Sequence, residues 1–258
     1  MNTTAIYRMD QTNVGDWYCA PHRYFDLGTT NEIDVVSVPP LPADDAVILG
    51  GGGLVAKTFH GHMQSIADQR PSLRALIAWG IGESENVDRK GGFVAPFDGT
   101  YPDYLKAFDL VGVRDYGTDY RWVPCASCML PNLERAYPRL GEIGIYEHKR
   151  IKIPIEGFPR RSNDGADIDD AIAFLGSYEL IITNSYHGAY WATLLGRRVI
   201  SIPNMSKVYR FKHAPVICRA EQWKRYTDVT KTYDKALDEC RAANRSYYDD
   251  VKTRLRRN

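Results

Sequence analysis

Short runs of β-branched and apolar residues alternate along this chain with segments whose apolar positions recur at helical spacing. Ala5 to Met9, Ile33 to Val38, Ala46 to Leu49, Arg74 to Trp79 and Leu110 to Val113 read as strands of a first series. Ile143 to Tyr146, Leu180 to Thr183 and Arg198 to Ile202 read as strands of a second, with helices over Ile168 to Ser177 and Tyr186 to Leu195 between them. Between the series lies Pro124 to Pro138, with three prolines and no clear period, which reads as a boundary. The pattern therefore predicts an α/β protein with two Rossmann-like lobes, over residues 1–135 and 136–230, and a C-terminal helix within 231–258, beginning near Tyr233. Parallel sheets carry their ligand loops at the carboxyl ends of the strands, so two such lobes aim their loops at a central cleft.

Composition narrows the function. The 258 residues hold 33 Lys and Arg against 32 Asp and Glu, for a net charge of +1, and 44% are hydrophobic. That balance disfavours a polyanion-binding role, and nucleic acid is not an expected partner. No apolar run reaches the ~18 to 20 residues of a membrane helix, and the first residues lack the order of a secretion signal, so the expected location is the cytoplasm. The C-terminal KTRLRRN has four basic residues in seven, a solvated end or a weak contact with the inner face of the membrane. Five cysteines read as reduced thiols. Cys125 and Cys128 form one CxxC without a second pair, half of a zinc motif, so no metal is expected. Seventeen tyrosines and five tryptophans suit a protein that binds half-polar ligands such as sugars.

Four segments carry candidate chemistry. After the strand Leu180 to Ile182, the residues Thr183, Asn184 and Ser185 favour a helix cap and place His187 in the first helical turn. Unpaired N–H groups and the positive end of the helix dipole would hold an anion there within reach of a neutral His187; the alternative is a histidine that closes the turn. Gly50 to Gly53 follow a buried strand and let a ligand approach the main chain, or serve as a tight turn, without the spacing of a Walker or dinucleotide motif. Asp16 follows the first strand, and Arg114 and Asp115 end the strand Leu110 to Val113. Arg114 would clamp a carboxylate or phosphate, or pair with an acid. The loop after Pro203 supplies Lys207, Arg210, Lys212 and His213, either a phosphate grip or a solvated loop.

Taken in order, NVGD at 13–16, VILGGGG at 47–53, VGVRD at 111–115 and TNSYHG at 183–188 followed by RVISIP resemble the polysaccharide pyruvyl transferase family over most of residues 10–215. The likeness is to the short exopolysaccharide ketal-pyruvyl transferases, which share a Ser-x-His-Gly helix start and an Arg-Phe-Lys such as Arg210 to Lys212. One departure is Pro124-Cys125-Ala126, where relatives tend to have Asp-Pro. The resemblance implies a GT-B-like arrangement and transfer of pyruvate from phosphoenolpyruvate to two hydroxyls of a sugar on a lipid-linked or nucleotide-linked glycan. It implies His187 and Arg114 as catalytic residues; closing a ketal also needs groups that accept hydroxyl protons, for which Asp16 is the catalytic candidate and Asp115 a second. Gly51, Gly52, Asn184 and Ser185 are candidates to bind the donor, with either Lys207 or the Arg210/Lys212 pair gripping its phosphate, and no cofactor is expected. The alternatives are a GT-B glycosyltransferase using a nucleotide sugar, and a non-catalytic anion- or glycan-binding scaffold.

Overall fold

The structure, a computed structural model, describes residues 2–84 and 94–256. Six strands form the first sheet: β1 (Thr3–Tyr7), β2 (Thr29–Asp34), β3 (Ala46–Gly52), β4 (Ala75–Ile81), β5 (Leu110–Val113) and β6 (Arg121–Trp122), in the order β2-β1-β3-β4-β5-β6. Five form the second: β7 (Gly141–Glu147), β8 (Arg160–Ser162), β9 (Tyr178–Thr183), β10 (Arg198–Ser201) and β11 (Val216–Ile217), in the order β11-β10-β9-β7-β8. Every pairing within the sheets is parallel. Counted from the first strand of each half, the first sheet follows a 2-1-3-4-5-6 order and the second 2-1-3-4-5, and the direction of winding reverses between β1 and β3 and between β7 and β9. Those switch points are where open α/β sheets leave a crevice.

The central strands β3 and β4 are buried at every position, as a sheet covered on both faces requires. Helix α2 (His60–Asp68) turns Met63 and Ile66 onto the first sheet. Helices α3 (Ile168–Gly176) and α4 (Tyr186–Leu194) cover the second, capped by the side chains of Asp167 and Ser185. A four-residue helix, α1 (Val14–Trp17), follows β1 and is capped by Asn13. The mixed α/β reading holds, with two differences. The strand expected over Ile33 to Val38 ends at Asp34, because the Asp34 carboxylate accepts from the Val36 N–H and turns the chain into a 3-10 segment. Short edge strands β6, β8 and β11 are absent from the sequence reading; they are two or three residues long and lack apolar alternation.

The Pro-rich segment is not an exposed tether. It folds into two 3-10 turns whose Cys125, Cys128, Leu130 and Leu133 are buried beside α4. The long helix α5 (Ala236–Arg256) bridges both halves. Ala236 and Cys240 pack with that segment and α4, whereas Tyr247 and Val251 pack under β3 and β4. Arg254, in the basic C-terminal stretch, is turned back onto Asp109; Arg257 and Asn258 lie outside the described residues. No helix among the described residues is long and apolar enough to cross a membrane. All five cysteines are buried and free.

Asn244 organises the crossing. Its side-chain oxygen accepts from the Trp79 indole at 2.8 Å, and its amide donates to the Pro124 carbonyl at 3.1 Å. Asn244→Ala should lower unfolding free energy by about 1–3 kcal/mol, since a buried indole N–H and a buried carbonyl lose their partner. Urea denaturation should show this as a lower midpoint with an unchanged slope.

Candidate active site

The two switch points meet. The chain leaving β1 packs α1 beside β3 of its own sheet and is also hydrogen-bonded to the loop after β8. The Val14 N–H donates to the Asn163 carbonyl at 3.2 Å, and the Asn163 amide donates to the Asn13 side chain at 2.9 Å. Lys149, just after β7, donates to the Thr12 carbonyl at 2.7 Å and pairs with Asp10 at 3.3 Å. These contacts hold Asp16 opposite the ends of β7 and β10.

Between them opens a cleft of about 390 Å³. Arg8, Asn13 and Asp16 line it from the end of β1, Gly52 to Leu54 and Ala56 to Phe59 from the end of β3, Ser84 from beyond β4, His148 from β7, and Met205 and Lys207 from the loop after β10. Gly52 and Gly53 therefore stand at the wall as expected, while Gly51 packs on the Cys19 carbonyl, 2.7 Å from where its Cβ would be, and does not line the opening.

Electrostatics in the cleft are set by cations sharing little water. Lys207 has its pKa lowered to about 8, chiefly by burial and next by the charge of Arg114, with Asp16 and Glu83 opposing. Asp16 is raised above the usual carboxylate range by burial, against the pull of Lys207 and Arg114; its carboxylate accepts from the Asn13 amide at 2.7 Å. His148 falls to about 4, through burial and the charges of Lys207, Lys149 and Arg150. Its Nδ1 faces the Arg150 N–H at 3.2 Å, which leaves the ring proton on Nε2. Arg8 is ion-paired with Asp34.

His187 and Arg114 converge beneath this cleft. Arg114 is 3% exposed, stacks over the Tyr186 ring at 3.8 Å and donates to the Glu83 carbonyl at 3.2 Å, while its Nε has no hydrogen-bond partner among the described residues. One guanidinium nitrogen lies 3.4 Å from where a Gly53 Cβ would be, so the charge sits directly behind the cleft wall. On its other side it borders a void of about 10 Å³ with Tyr186 and Phe211, room for a water at most. His187 is 6% exposed, with Nε2 3.4 Å from the Cys125 thiol and the ring tilted against Trp191, centres 5.0 Å apart. A Cβ on Gly15 would lie 2.1 Å from His187 Nδ1, so the glycine main chain covers the imidazole. Burial first, then Arg114 and Lys207, push its pKa well below the ordinary value.

The expected anion seat at the start of α4 is therefore closed. Ser185 spends its hydroxyl on the Gly188 N–H at 3.3 Å, and the first turn is buried. Asn184 does not line the cleft; it accepts from the His148 N–H at 2.6 Å and donates to the Ile151 carbonyl, holding the turn that carries His148. Asp115 is buried away from the cleft, accepting from the Glu83 N–H and the Tyr101 hydroxyl at 2.8 and 2.6 Å. Of the basic loop, Lys207 reaches the cleft. Lys212 pairs with Glu239 at 2.8 Å over the Trp122 ring, His213 pairs with the same carboxylate, and Arg210 donates to the Phe97 carbonyl, so these three fall outside it. Arg8, Lys57, Ser84 and His148 were missed. Arg8 and His148 directly follow the ends of β1 and β7, the same positional rule that picked Asp16 and Arg114. Among the described residues no group of three or more His, Cys, Asp and Glu side chains is placed to hold a metal ion.

Matched parallel sheets whose switch points share a cationic cleft define an α/β protein of the class that binds its ligand between strand ends. The chain belongs to the polysaccharide pyruvyl transferase family, whose sequence model matches residues 4–206. Membership indicates polysaccharide pyruvyl transferase activity in general and, with it, a polysaccharide acceptor. No curated protein matches the chain. Among solved structures, a functionally uncharacterized protein from Klebsiella pneumoniae subsp. pneumoniae NTUH-K2044 shares 17% identity, covering 84% of this chain and 93% of its own at a TM-score of 0.50, a likeness of fold.

The approach of Gly15 to His187 is testable by itself. Gly15→Ala should cost about 1–3 kcal/mol as an overpacked contact. Combined with His187→Ala, much of that cost should vanish, giving a coupling energy of about 1 kcal/mol or more in a double-mutant cycle of denaturation free energies.

Proposed function

We propose that the chain transfers pyruvate from phosphoenolpyruvate to two hydroxyls of one glycan sugar, in the cleft between the two sheets arranged as a GT-B-like pair. The reading rests chiefly on Lys207, a partly buried ammonium that faces the opening, with Asp16 beside it and Arg114 behind the wall. A multiply charged anion replaces lost hydration there with fixed cations.

In this scheme Lys207 gives its proton to the methylene carbon of phosphoenolpyruvate, which becomes a methyl group. A pKa of about 8 suits that task, because an acid works best near the operating pH. One sugar hydroxyl adds to the second carbon as Asp16, its own pKa raised, accepts the hydroxyl proton. Phosphate leaves, and the second hydroxyl closes the ketal. One hydroxyl proton replaces the one Lys207 gave and the other leaves with phosphate. Arg114 neutralises donor charge through the thin wall at Gly53, and the His148 Nε2–H is a neutral donor to it. His187, the first candidate for the acid, would have to rise in pKa and clear Gly15 before reaching the donor. Its assigned part is to seat the turn that carries Asp16.

Lys207 keeps its charge below about pH 8 and loses it above, and a bound trianion favours the charged form. Phosphoenolpyruvate affinity should therefore be steady near pH 7 and fall by up to about tenfold per unit above pH 8, read by calorimetry. Lys207→Arg should flatten that fall and Lys207→Met should abolish binding at both pH values. A thermal shift with UDP- or GDP-sugars and none with phosphoenolpyruvate would move the chain to nucleotide-sugar glycosyl transfer. Turnover lost in His187→Gln, with melting temperature and donor affinity intact, would return the proton transfer to the imidazole.

A further inference from the structure

A second groove, of about 370 Å³, lies beside the cleft and shares Lys57 with it. On the side away from the donor it is lined by Pro96, Phe97, Asp98, Thr100 and Pro102. The chemistry differs from that of the cleft. Phe97 and the two prolines offer flat, apolar C–H and ring surface, while Asp98 and Thr100 offer hydroxyl partners. Sugars present that combination, with C–H faces on one side and hydroxyls around the rim. A nucleotide or lipid diphosphate needs several cations, and among the groove's described lining Lys57 is the one Lys or Arg, opposed by Asp98.

The groove is built to keep station with the cleft. Arg210, from the loop that carries Lys207, donates to the Phe97 carbonyl at 3.2 Å and lies 5.9 Å from the Phe97 ring. Its guanidinium rests on Gly99, whose φ of +98° and missing Cβ let the two approach; a Cβ there would stand 2.9 Å away. The Tyr209 hydroxyl donates to the Val94 carbonyl at 2.6 Å. Tyr101 braces Phe97 edge-on, with ring centres 5.4 Å apart. The segment 94–102, part of the first half, is thus fastened to the second-half loop that positions Lys207. A ligand lying on Phe97 is held in register with that ammonium.

We propose that this groove binds the second sugar of the acceptor, so that the substrate is a glycan of at least two residues, the one in the cleft receiving pyruvate and its neighbour stacking on Phe97. The proposal rests on the reading of the cleft as the site of pyruvyl transfer. Arg210 then has a positioning role, joining acceptor groove to donor cleft, in place of the direct phosphate contact expected from sequence.

Saturation-transfer NMR with phosphoenolpyruvate present tests this, using a panel of α- and β-linked disaccharides of glucose, galactose, mannose and their N-acetyl derivatives, the matching monosaccharides, and UDP-glucose. At least one disaccharide should receive saturation on both rings and bind about tenfold more tightly than its monosaccharides, the upper end of what one aromatic face contributes. Phe97→Ala should reduce that disaccharide to the monosaccharide level and Phe97→Trp should restore it. Melting temperature and the phosphoenolpyruvate shift should stay as in the parent protein. Disaccharides that bind no better than monosaccharides, an advantage indifferent to Phe97→Ala, or UDP-glucose binding lost in Phe97→Ala would each overturn the proposal. Failure of the parent protein to bind phosphoenolpyruvate would instead bring down the donor reading, and this inference with it.

Discussion

The docking of residues 10–16 onto the second sheet is the contact on which the site depends. A strand-to-helix turn normally closes on its own sheet. Here the backbone of Val14 and the side chain of Asn13 also bond to Asn163, and Lys149 reaches Asp10 and Thr12. Gly15 can then lie on His187 with no side chain between them. Two switch points that would otherwise face solvent separately become the walls of one cleft, and α5 ties the far side by packing against both halves.

Charge placement follows from that geometry. Arg114 and His187 are too buried to meet a ligand in the open cleft, yet the field of Arg114 reaches it: the guanidinium depresses both Lys207 and His187 and opposes the rise of Asp16. A cluster of this kind is electrostatically unfavourable when empty, because like charges share little water. Under the proposed function an anionic donor would relieve that repulsion, so that part of its binding energy would be stored in the fold beforehand. Tyr186, stacked under Arg114, supplies a face of negative potential that offsets part of the cost of burying the cation.

Much of the architecture was legible before the structure. Strands β1, β3, β4, β5, β7, β9 and β10 are apolar enough to be seen as buried, and the α4 cap at Ser185 is a local hydrogen bond that residue type announces. Edge strands β6, β8 and β11 were not legible, since two or three residues pairing on one side are too short to carry a periodic signal. The site was half legible. Asp16, Gly52 and Lys207 reach the cleft because they lie at or beyond the carboxyl ends of parallel strands, where the crevice opens, as do Arg8 and His148; Arg114 obeys the same rule and is nevertheless buried.

The amino-acid order by itself determined which strands are buried, where α3 and α4 start, and that polar side chains gather at the carboxyl ends of the strands, because all three are set by neighbours within a few residues. It could not decide which cations of one loop point inward. Lys207 faces the cleft while Arg210 and Lys212 turn to Phe97 and Glu239, partners more than twenty residues away in the chain. Nor could it show that the α4 start is sealed by Gly15. Those outcomes depend on distant segments competing for the same space and the same charges, and that competition exists in the packed molecule alone.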